Sequence, residues 1–457
     1  MLDPIQWNVP RDMWILQQHA RAKRFVHAKI DGEPQRKGAG GKRTAPAFQQ
    51  EVIKRMRERY PFKGPVALDL HFICMRKNPP SVHQLAKHVL DVLGQAEPQN
   101  IQPGRRSVLY YDDRQVKLLY VDLDQNWQKK PSIDLQNLFG DTEQKLYEAK
   151  TFLSARPARD AMADLSTAYW LRGRMRDDPY SIDPLEYSLP GSDPFEYPED
   201  PGDVEIYLRP LPRFPGSNED MLAFLDEANR FDAIKQMQEY LLAAADASFV
   251  TDLASSLYEA SFSGGMASFG KRFREQSGTG GWRLSHLLSV PLPGLPHKHG
   301  AAAEFATGVR EQLETFKAKN PIFRSLLVPV KMTFVVVPSE QGKDLDNIAL
   351  TALPIAHQVL RPHIEPFLLS PTYKHASPEP WREEALKRLR SLNAYSVRAY
   401  QVIELPRMQS DPPQGQLRLS LGRHTGFSPW NQAAEFVKRE VRRYERNRPW
   451  GIGHWDL

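Results

Sequence analysis

The chain has 457 residues, of which 41% are hydrophobic and 25% are charged, and its nine Trp and 21 Phe exclude a chain that is disordered throughout. Domains usually contain about 100–200 residues, so two or three domains are expected. The formal net charge of +6 is too small for this length to indicate a nucleic-acid partner by itself.

Three further features bear on the compartment. No stretch approaches the roughly 20 apolar residues that span a bilayer. The N-terminus, MLDPIQWNVPRDMWIL, lacks the basic-then-apolar pattern of a signal peptide. A single cysteine, Cys74, excludes internal disulfides and a cysteine-rich zinc site. These features predict a cytoplasmic protein.

The first half of the chain predicts two helices and two strands. Residues 47–60 and 82–94 have the apolar spacing of helices. Residues 64–75 form an apolar strand candidate, and residues 116–123 alternate as a strand does.

The middle of the chain has a different composition. Residues 177–207 contain ten acidic residues and no basic ones, and they are rich in proline. They therefore predict an acidic linker or an extended strap. From Asn218 to Phe273, three segments repeat apolar residues near every third or fourth position, which predicts a helical insert.

The second half repeats the order of elements in the first half. It predicts a helix at 304–316, a strand at 325–338, a helix at 347–360 and a strand at 396–406. The agreement in length and order indicates an internal duplication, although a chance succession of these common elements is the alternative. The C-terminal segment FVKREVRRYER then predicts a helix with a solvated basic side.

Three motifs of the first half occur in a family-like order. GPVALDLHF is the strand, LAKHVLDVL is the helix with Lys87 and Asp91, and DDRQV is a turn with Asp112 and Asp113. In this order they resemble the RusA-type Holliday-junction resolvases, which are small DNA nucleases. That family has a GPV-like strand, a D-x-D-N-L-x-K-x-x-x-D-A-L helix and a D-D-x-Q-[VI] turn.

Each half departs from this pattern in its own way. In the second half, DLDNI resembles the opening of the family's helix with Asp344 and Asp346, but no acidic pair precedes the later strand. In the first half, Ser81 and His83 stand where the family has its two leading aspartates. The acidic residues of the family pattern that one half lacks are retained in the other half.

The resemblance implies hydrolysis of a DNA phosphodiester near a branch point, with Mg²⁺ or Mn²⁺ as the cofactor. Mg²⁺ prefers carboxylate oxygens, and a nearby lysine offsets charge on the leaving oxygen. The implied catalytic residues are Asp91, Asp112, Asp113 and Lys87. The implied metal ligands are Asp91, Asp112, Asp113, His83, Asp344 and Asp346.

Each of these residues also has a purely structural interpretation. Lys87 and Asp91 are four residues apart on a helix and would form a surface ion pair. The aspartates before the second strand would belong to an ordinary turn. Asp346 would be the N-cap of a helix, and His83 would be a hydrogen-bonded turn residue.

Basic residues predict contacts with DNA phosphates at three places. These are the glycine-containing N-terminal arm, the surroundings of the acidic turn, and the C-terminal helix. A solvated surface is the alternative at each place. The candidate DNA-binding residues are Arg36, Lys37, Lys42, Arg43, Arg105, Arg106, Arg114, Arg442 and Arg443.

The sequence therefore predicts an α+β chain with two RusA-like repeats, each a mixed sheet flanked by helices, that form a pseudo-dimer. The predicted function is a structure-selective endonuclease of branched DNA, associated with the nucleoid. The alternative is a non-catalytic DNA-binding subunit of a defence, mobile-element or repair complex. The predicted parts are a basic arm (1–42), repeat 1 (43–150), the acidic linker and helical insert (151–284), repeat 2 (285–425) and a basic C-terminal helix (426–457).

Overall fold

The computed structural model describes most of both halves of the chain. The described residues are 11–36, 44–56, 60–76, 78–94, 106–125, 148–177, 227–276, 288–295, 302–323, 326–340, 345–360 and 397–446.

The helices and strands fall into two similar series separated by two further helices. The helices are α1 Arg11–Arg24, α2 Thr44–Arg55, α3 Val82–Gly94, α4 Ala158–Asp177, α5 Glu227–Phe262, α6 Met266–Gln276, α7 Ala302–Lys319, α8 Leu345–Val359 and α9 Pro429–Arg446. The strands are β1 Val26–Asp31, β2 Val66–Cys74, β3 Val116–Gln125, β4 Lys150–Pro157, β5 Ser289–Leu292, β6 Val330–Val337, β7 Val397–Glu404 and β8 Gln416–Arg423.

The strands form one mixed sheet in the order β1-β4-β2-β3-β7-β6-β8-β5. β3 and β7 pair antiparallel at the centre, where the two halves of the chain meet. β2 runs parallel to β3, and β6 runs parallel to β7. The second half therefore repeats the strand order of the first, rotated about the central pair.

The strand registers of the two halves also agree. The pairing of β2 with β3 skips Lys117, and the pairing of β6 with β7 skips Arg398 at the same place. The sixth pair after each skip contains Leu123 in the first half and Glu404 in the second. Lys117 thus corresponds to Arg398, and Leu123 corresponds to Glu404.

Helices cover both faces of the sheet. Leu119 and Val121 of β3 belong to one hydrophobic cluster, together with side chains of α2, α3, α7 and α8. Leu118 and Tyr120 belong to a second cluster with side chains of α4, α5, α6 and α9. Because side chains alternate along a strand, the clusters lie on opposite faces, which we call the α3 face and the α9 face.

The predicted α+β class, with a mixed sheet flanked by helices, is confirmed. The helix predicted at 82–94 has those bounds, and the strand predicted at 116–123 extends by two residues. The helical insert contains one continuous 36-residue helix, α5, where the sequence predicts shorter segments.

Helices and a strand also form in segments for which the sequence predicts an arm or a linker and insert. α1 and β1 lie within the segment predicted as a basic arm, and α4 lies within the segment predicted as a linker and insert. The charge of the arm conceals β1, whose buried side chains are the small apolar residues Val26 and Ala28 between exposed His27 and Lys29. The acidic strap at 177–207 lies outside the described residues, apart from the last residue of α4. Within the described ranges, no helix is long and apolar enough to cross a membrane.

Candidate active site

The DDRQV motif forms a tight capped turn directly before β3. Asp112 caps a short 3-10 helix by accepting a hydrogen bond from the backbone N–H of Arg114 at 2.9 Å. The Gln115 side chain accepts from the backbone N–H groups of Tyr111 and Asp112, and its amide donates to the carbonyl oxygen of Phe62 at 2.7 Å. The glutamine of the motif thereby fixes the acidic turn to the segment that enters β2.

The charge of Asp112 is stabilised where it lies. The backbone N–H of Arg114 lowers the pKa of Asp112, and the Arg114 guanidinium, 3.0 Å from its carboxylate, lowers it further. Both side chains are largely accessible, with 41% and 61% of their surfaces exposed. The turn therefore presents an ionised carboxylate and a cation to solvent.

The end of α3 lies against this turn. The Tyr110 hydroxyl donates to the carbonyl oxygen of Leu90 at 2.8 Å, and the backbone N–H of Leu109 donates to that of Leu93. Asp91 pairs with Lys87 at 3.1 Å on the same helix, as the structural interpretation predicts. Both side chains are about one quarter exposed, so the pair is accessible from solvent.

A second ion pair joins the two halves at the same end of the sheet. Lys117 Nζ lies 2.6 Å from Glu404 Oε1 across the β3–β7 pair. Burial raises the pKa of Glu404, and the hydrogen bond from Lys117 opposes that rise. Lys117 is two residues before Leu119, Glu404 is two residues after Val402, and both of these apolar residues belong to the cluster on the α3 face. Because residues two apart on a strand share a face, the ion pair lies on the α3 face. Sequence reasoning missed both residues, and the only sequence signal is a charge at the end of each apolar strand.

The second half contributes the start of α8 to this end. β7 runs antiparallel to β3, so β7 and its parallel neighbour β6 end where β3 begins. α8 follows β6 and packs on α3, and Asp346 is its second residue. Asp344 lies outside the described residues. We call this place the Asp112 end of the sheet.

His83 lies elsewhere, at what we call the His83 end. It is the second residue of α3, and it lines a small cavity with Leu123, His357 and Val397. β3 separates it from the acidic turn by roughly 26 Å, at about 3.3 Å a residue. Helix α3 alone separates it from Asp91 by about 12 Å. The structure therefore does not bring His83 together with Asp91, Asp112 and Asp113 in the one metal site that the resemblance implies.

The surroundings of His83 are apolar. Burial and, to a smaller extent, the nearby His357 lower the pKa of His83 to about 4. Its ring nitrogen lies 3.2 Å from the Ser81 hydroxyl, so His83 is hydrogen-bonded as the structural interpretation predicts, but it lies in the first turn of α3 and not in a turn before it. At neutral pH His83 is therefore uncharged.

The candidate DNA-binding residues lie on different surfaces. Arg36, Arg106, Arg114 and Arg442 are exposed. Arg442 and the less exposed Arg443 are on α9, which covers the opposite face from α3. The structure therefore does not bring these two residues together with Lys87 and Asp91. Lys37, Lys42, Arg43 and Arg105 lie outside the described residues.

A polar cluster on the α9 face was not predicted. Buried Asp122 of β3 accepts hydrogen bonds from His71 of β2, at 2.5 Å, and from His424, which precedes α9. These two bonds outweigh burial and hold the pKa of Asp122 below its usual range. Burial lowers the pKa of His71, but Asp122 and the charge of Asp124 raise it overall. The sequence signal is the polar alternation of LDLHF and YVDLD within apolar strands.

No group of three histidine, cysteine or acidic side chains that would hold a metal ion occurs among the described residues. The side chains of Asp344 and Asp346 lie outside that set. The carboxylates at the Asp112 end supply the oxygen donors that Mg²⁺ prefers, so their chemistry fits that ion. In the structure these carboxylates pair with cations, with which a metal ion would compete.

Compared with protein-family models, with curated proteins and with solved structures, the chain has no significant match in any of the three.

Proposed function

We propose that the protein is a divalent-metal-dependent endonuclease of branched DNA, whose one catalytic site is composed of residues from both halves. The observation that carries this proposal is the antiparallel pairing of β3 with β7. Because of this pairing, the acidic turn of the first half and the start of α8 from the second half belong to the same end of the sheet. The acidic residues that each half lacks are therefore supplied by the other.

The proposed site consists of Asp91, Asp112, Asp113, Glu404 and Asp346. The described side chains of Asp91, Asp112, Asp113 and Glu404 do not by themselves form a group of three that would hold a metal ion. Together with Asp346, they would supply the carboxylate oxygens that Mg²⁺ or Mn²⁺ prefers. The ion would supply stabilisation of charge on the phosphoryl group and activation of water.

The lysines of the site have a separate role. Lys87 is held by Asp91, and Lys117 is held by Glu404, so both ammonium groups are oriented before DNA binds. An oriented cation stabilises negative charge that develops on the leaving oxygen. Arg114, mostly exposed beside Asp112, is suited to contact a backbone phosphate next to the site.

We also propose that the two halves of the chain form a RusA-like pseudo-dimer. The repeated strand order and the shared register shift support two RusA-like halves that form a pseudo-dimer within one chain. A symmetric dimer presents equivalent surfaces to a junction of matching symmetry. A fused pseudo-dimer keeps that geometry and leaves its two halves free to diverge.

The test is cleavage of a labelled four-way junction in Mg²⁺ or Mn²⁺. Asp112→Asn/Asp113→Asn and, separately, Asp346→Asn are expected to slow cleavage by roughly 10²-fold or more, because each removes carboxylates of the one site. Asp124→Asn is the matched control, since Asp124 lies at the other end of β3. If the wild type and both variants cleaved the junction at equal rates, the proposed site would be contradicted.

A non-catalytic DNA-binding subunit is the second candidate function. The cation pairing of Asp91, Asp112 and Glu404 favours it, because these pairs neutralise the site without a metal ion. This candidate predicts salt-dependent binding of branched DNA with no cleavage in either metal ion. A nearly flat dependence of log K on log salt concentration would contradict phosphate contact under both candidates.

A further inference from the structure

The two ends of the central strand pair are equivalent in backbone but different in chemistry. At the Asp112 end, Lys117 pairs with Glu404. At the His83 end, the corresponding positions hold Arg398 and Leu123. The cation is therefore retained at both ends, whereas the carboxylate is replaced by an apolar side chain at one of them.

The same replacement occurs in the helices. His83 is the second residue of α3, and Asp346 is the second residue of α8. The sequence directly before β7 reads NAYS, where the sequence before β3 has DDRQ. The acidic positions of the Asp112 end thus have no acidic counterparts in the sequence of the other end.

The cavity at the His83 end is unsuited to a hard cation. Its lining includes His83 and His357, together with the apolar side chains of Leu123, Leu353 and Val397. No carboxylate occurs among its lining residues in the described part of the chain. Imidazole is a poor ligand for Mg²⁺, which requires oxygen donors.

We infer that the protein makes a single incision each time it binds, so that it nicks one strand of a branched DNA and leaves the symmetry-related strand intact. This inference rests on the proposed function. Paired incision requires two competent sites related by the symmetry of the junction. Here the symmetry of the backbone is kept, but the positions that are acidic at the Asp112 end have no acidic counterparts at the His83 end, where the described carboxylate of Asp124 belongs to the α9 face.

The experiment uses a supercoiled plasmid with an extruded cruciform, in which one incision gives an open circle and two incisions give a linear molecule. The full-length protein is bound without metal, excess unlabelled junction is added as a trap, and Mg²⁺ then starts one round of cleavage. We expect supercoiled plasmid to become open circles without linear product. Linear product formed at a rate similar to nicking would overturn the inference.

Two variants separate this inference from the proposed function. Asp346→Asn is expected to abolish nicking, while His83→Gln is expected to leave the rate and the product unchanged. Linear product that disappears with Asp346→Asn would retain the proposed endonuclease and overturn only the single incision. No cleavage by the wild type in Mg²⁺ or Mn²⁺ would overturn both.

Discussion

Asp69 of β2 is the residue that fixes the start of α9 to the first half of the chain. Its carboxylate accepts hydrogen bonds from Ser428, from Trp430 Nε1 at 2.6 Å and from Asn431 Nδ2 at 2.5 Å. Ser428 also accepts from the backbone N–H of Asn431 and so closes the first turn of the helix. A side chain of the first half therefore determines where the last helix of the second half begins.

This buried carboxylate predicts a dependence of stability on pH. Burial raises the pKa of Asp69 to about 7, and the hydrogen bonds from Ser428 and Trp430 limit that rise. The folded state then keeps a proton that the unfolded state releases above about pH 4. The contribution of Asp69 to the free energy of unfolding is thus complete below about pH 4 and is lost as pH rises towards 7.

Urea unfolding between pH 4 and pH 8 measures this contribution, with Asp69→Asn as the comparison. Asparagine does not titrate, so the decline in the free energy of unfolding from pH 4 to pH 7 should be smaller in the variant. A decline of equal size in both proteins would show that Asp69 has an ordinary pKa.

At the scale of elements, a buried ion pair attaches the inserted helix α5 to the sheet. Lys331 of β6 contacts Asp246 of α5, and the two side chains are 1% and 6% exposed. Lys331→Met leaves a buried carboxylate without its cation, which should lower the free energy of unfolding by about 3–5 kcal/mol.

The double variant Lys331→Met/Asp246→Leu removes both charges and should recover most of that loss, because an apolar pair of similar volume has no desolvation cost. Chemical denaturation of the two variants and the wild type checks this. If the double variant were as unstable as the single one, packing around α5 rather than charge would dominate.

At the scale of the whole molecule, the continuous sheet couples the two halves. The β3–β7 pair crosses the centre, and Trp430 of the second half is fully buried against Asp69 of the first. Neither half can therefore unfold without exposing a strand edge or a core side chain of the other.

We expect one cooperative unfolding transition. Urea curves from tryptophan fluorescence and from far-ultraviolet circular dichroism should coincide. The difference between the wild type and Trp430→Phe gives the fluorescence of Trp430, which lies at the interface between the halves. Two separate transitions would mean that the halves are independent domains.

Part of this architecture can be predicted from local patterns in the sequence. The apolar spacing of residues 82–94 and the alternation after Val116 depend only on which side chains a helix or a strand buries, so the sequence predicts both elements. The DDRQV motif likewise predicts its turn, because Gln115 and Asp112 bond to backbone groups close to them in the chain. β1 was missed because its charged, exposed residues hide two buried positions.

The grouping of residues at the site depends on contacts that local patterns do not contain. Lys117 and Glu404 are 287 residues apart, and Asp122 and His424 are 302 residues apart. The residues next to these side chains in the sequence do not predict either pairing. The pairing of Lys117 with Glu404 arises because β7 runs antiparallel beside β3. That direction separates His83 from the acidic turn and places the start of α8 at the same end of the sheet as the turn.

The sequence by itself determined the class of fold, the repeated order of elements and the unequal distribution of acidic residues between the halves. Those properties follow from periodicity and composition, which act over a few residues. Only the tertiary structure decided that the acidic residues of one half and the start of α8 from the other belong to the same end of the sheet. The physical reason is that an antiparallel central pair exchanges the ends of the two halves, so the acidic turn of one half and the start of α8 from the other fall at one end of the sheet although the backbones of the two ends match.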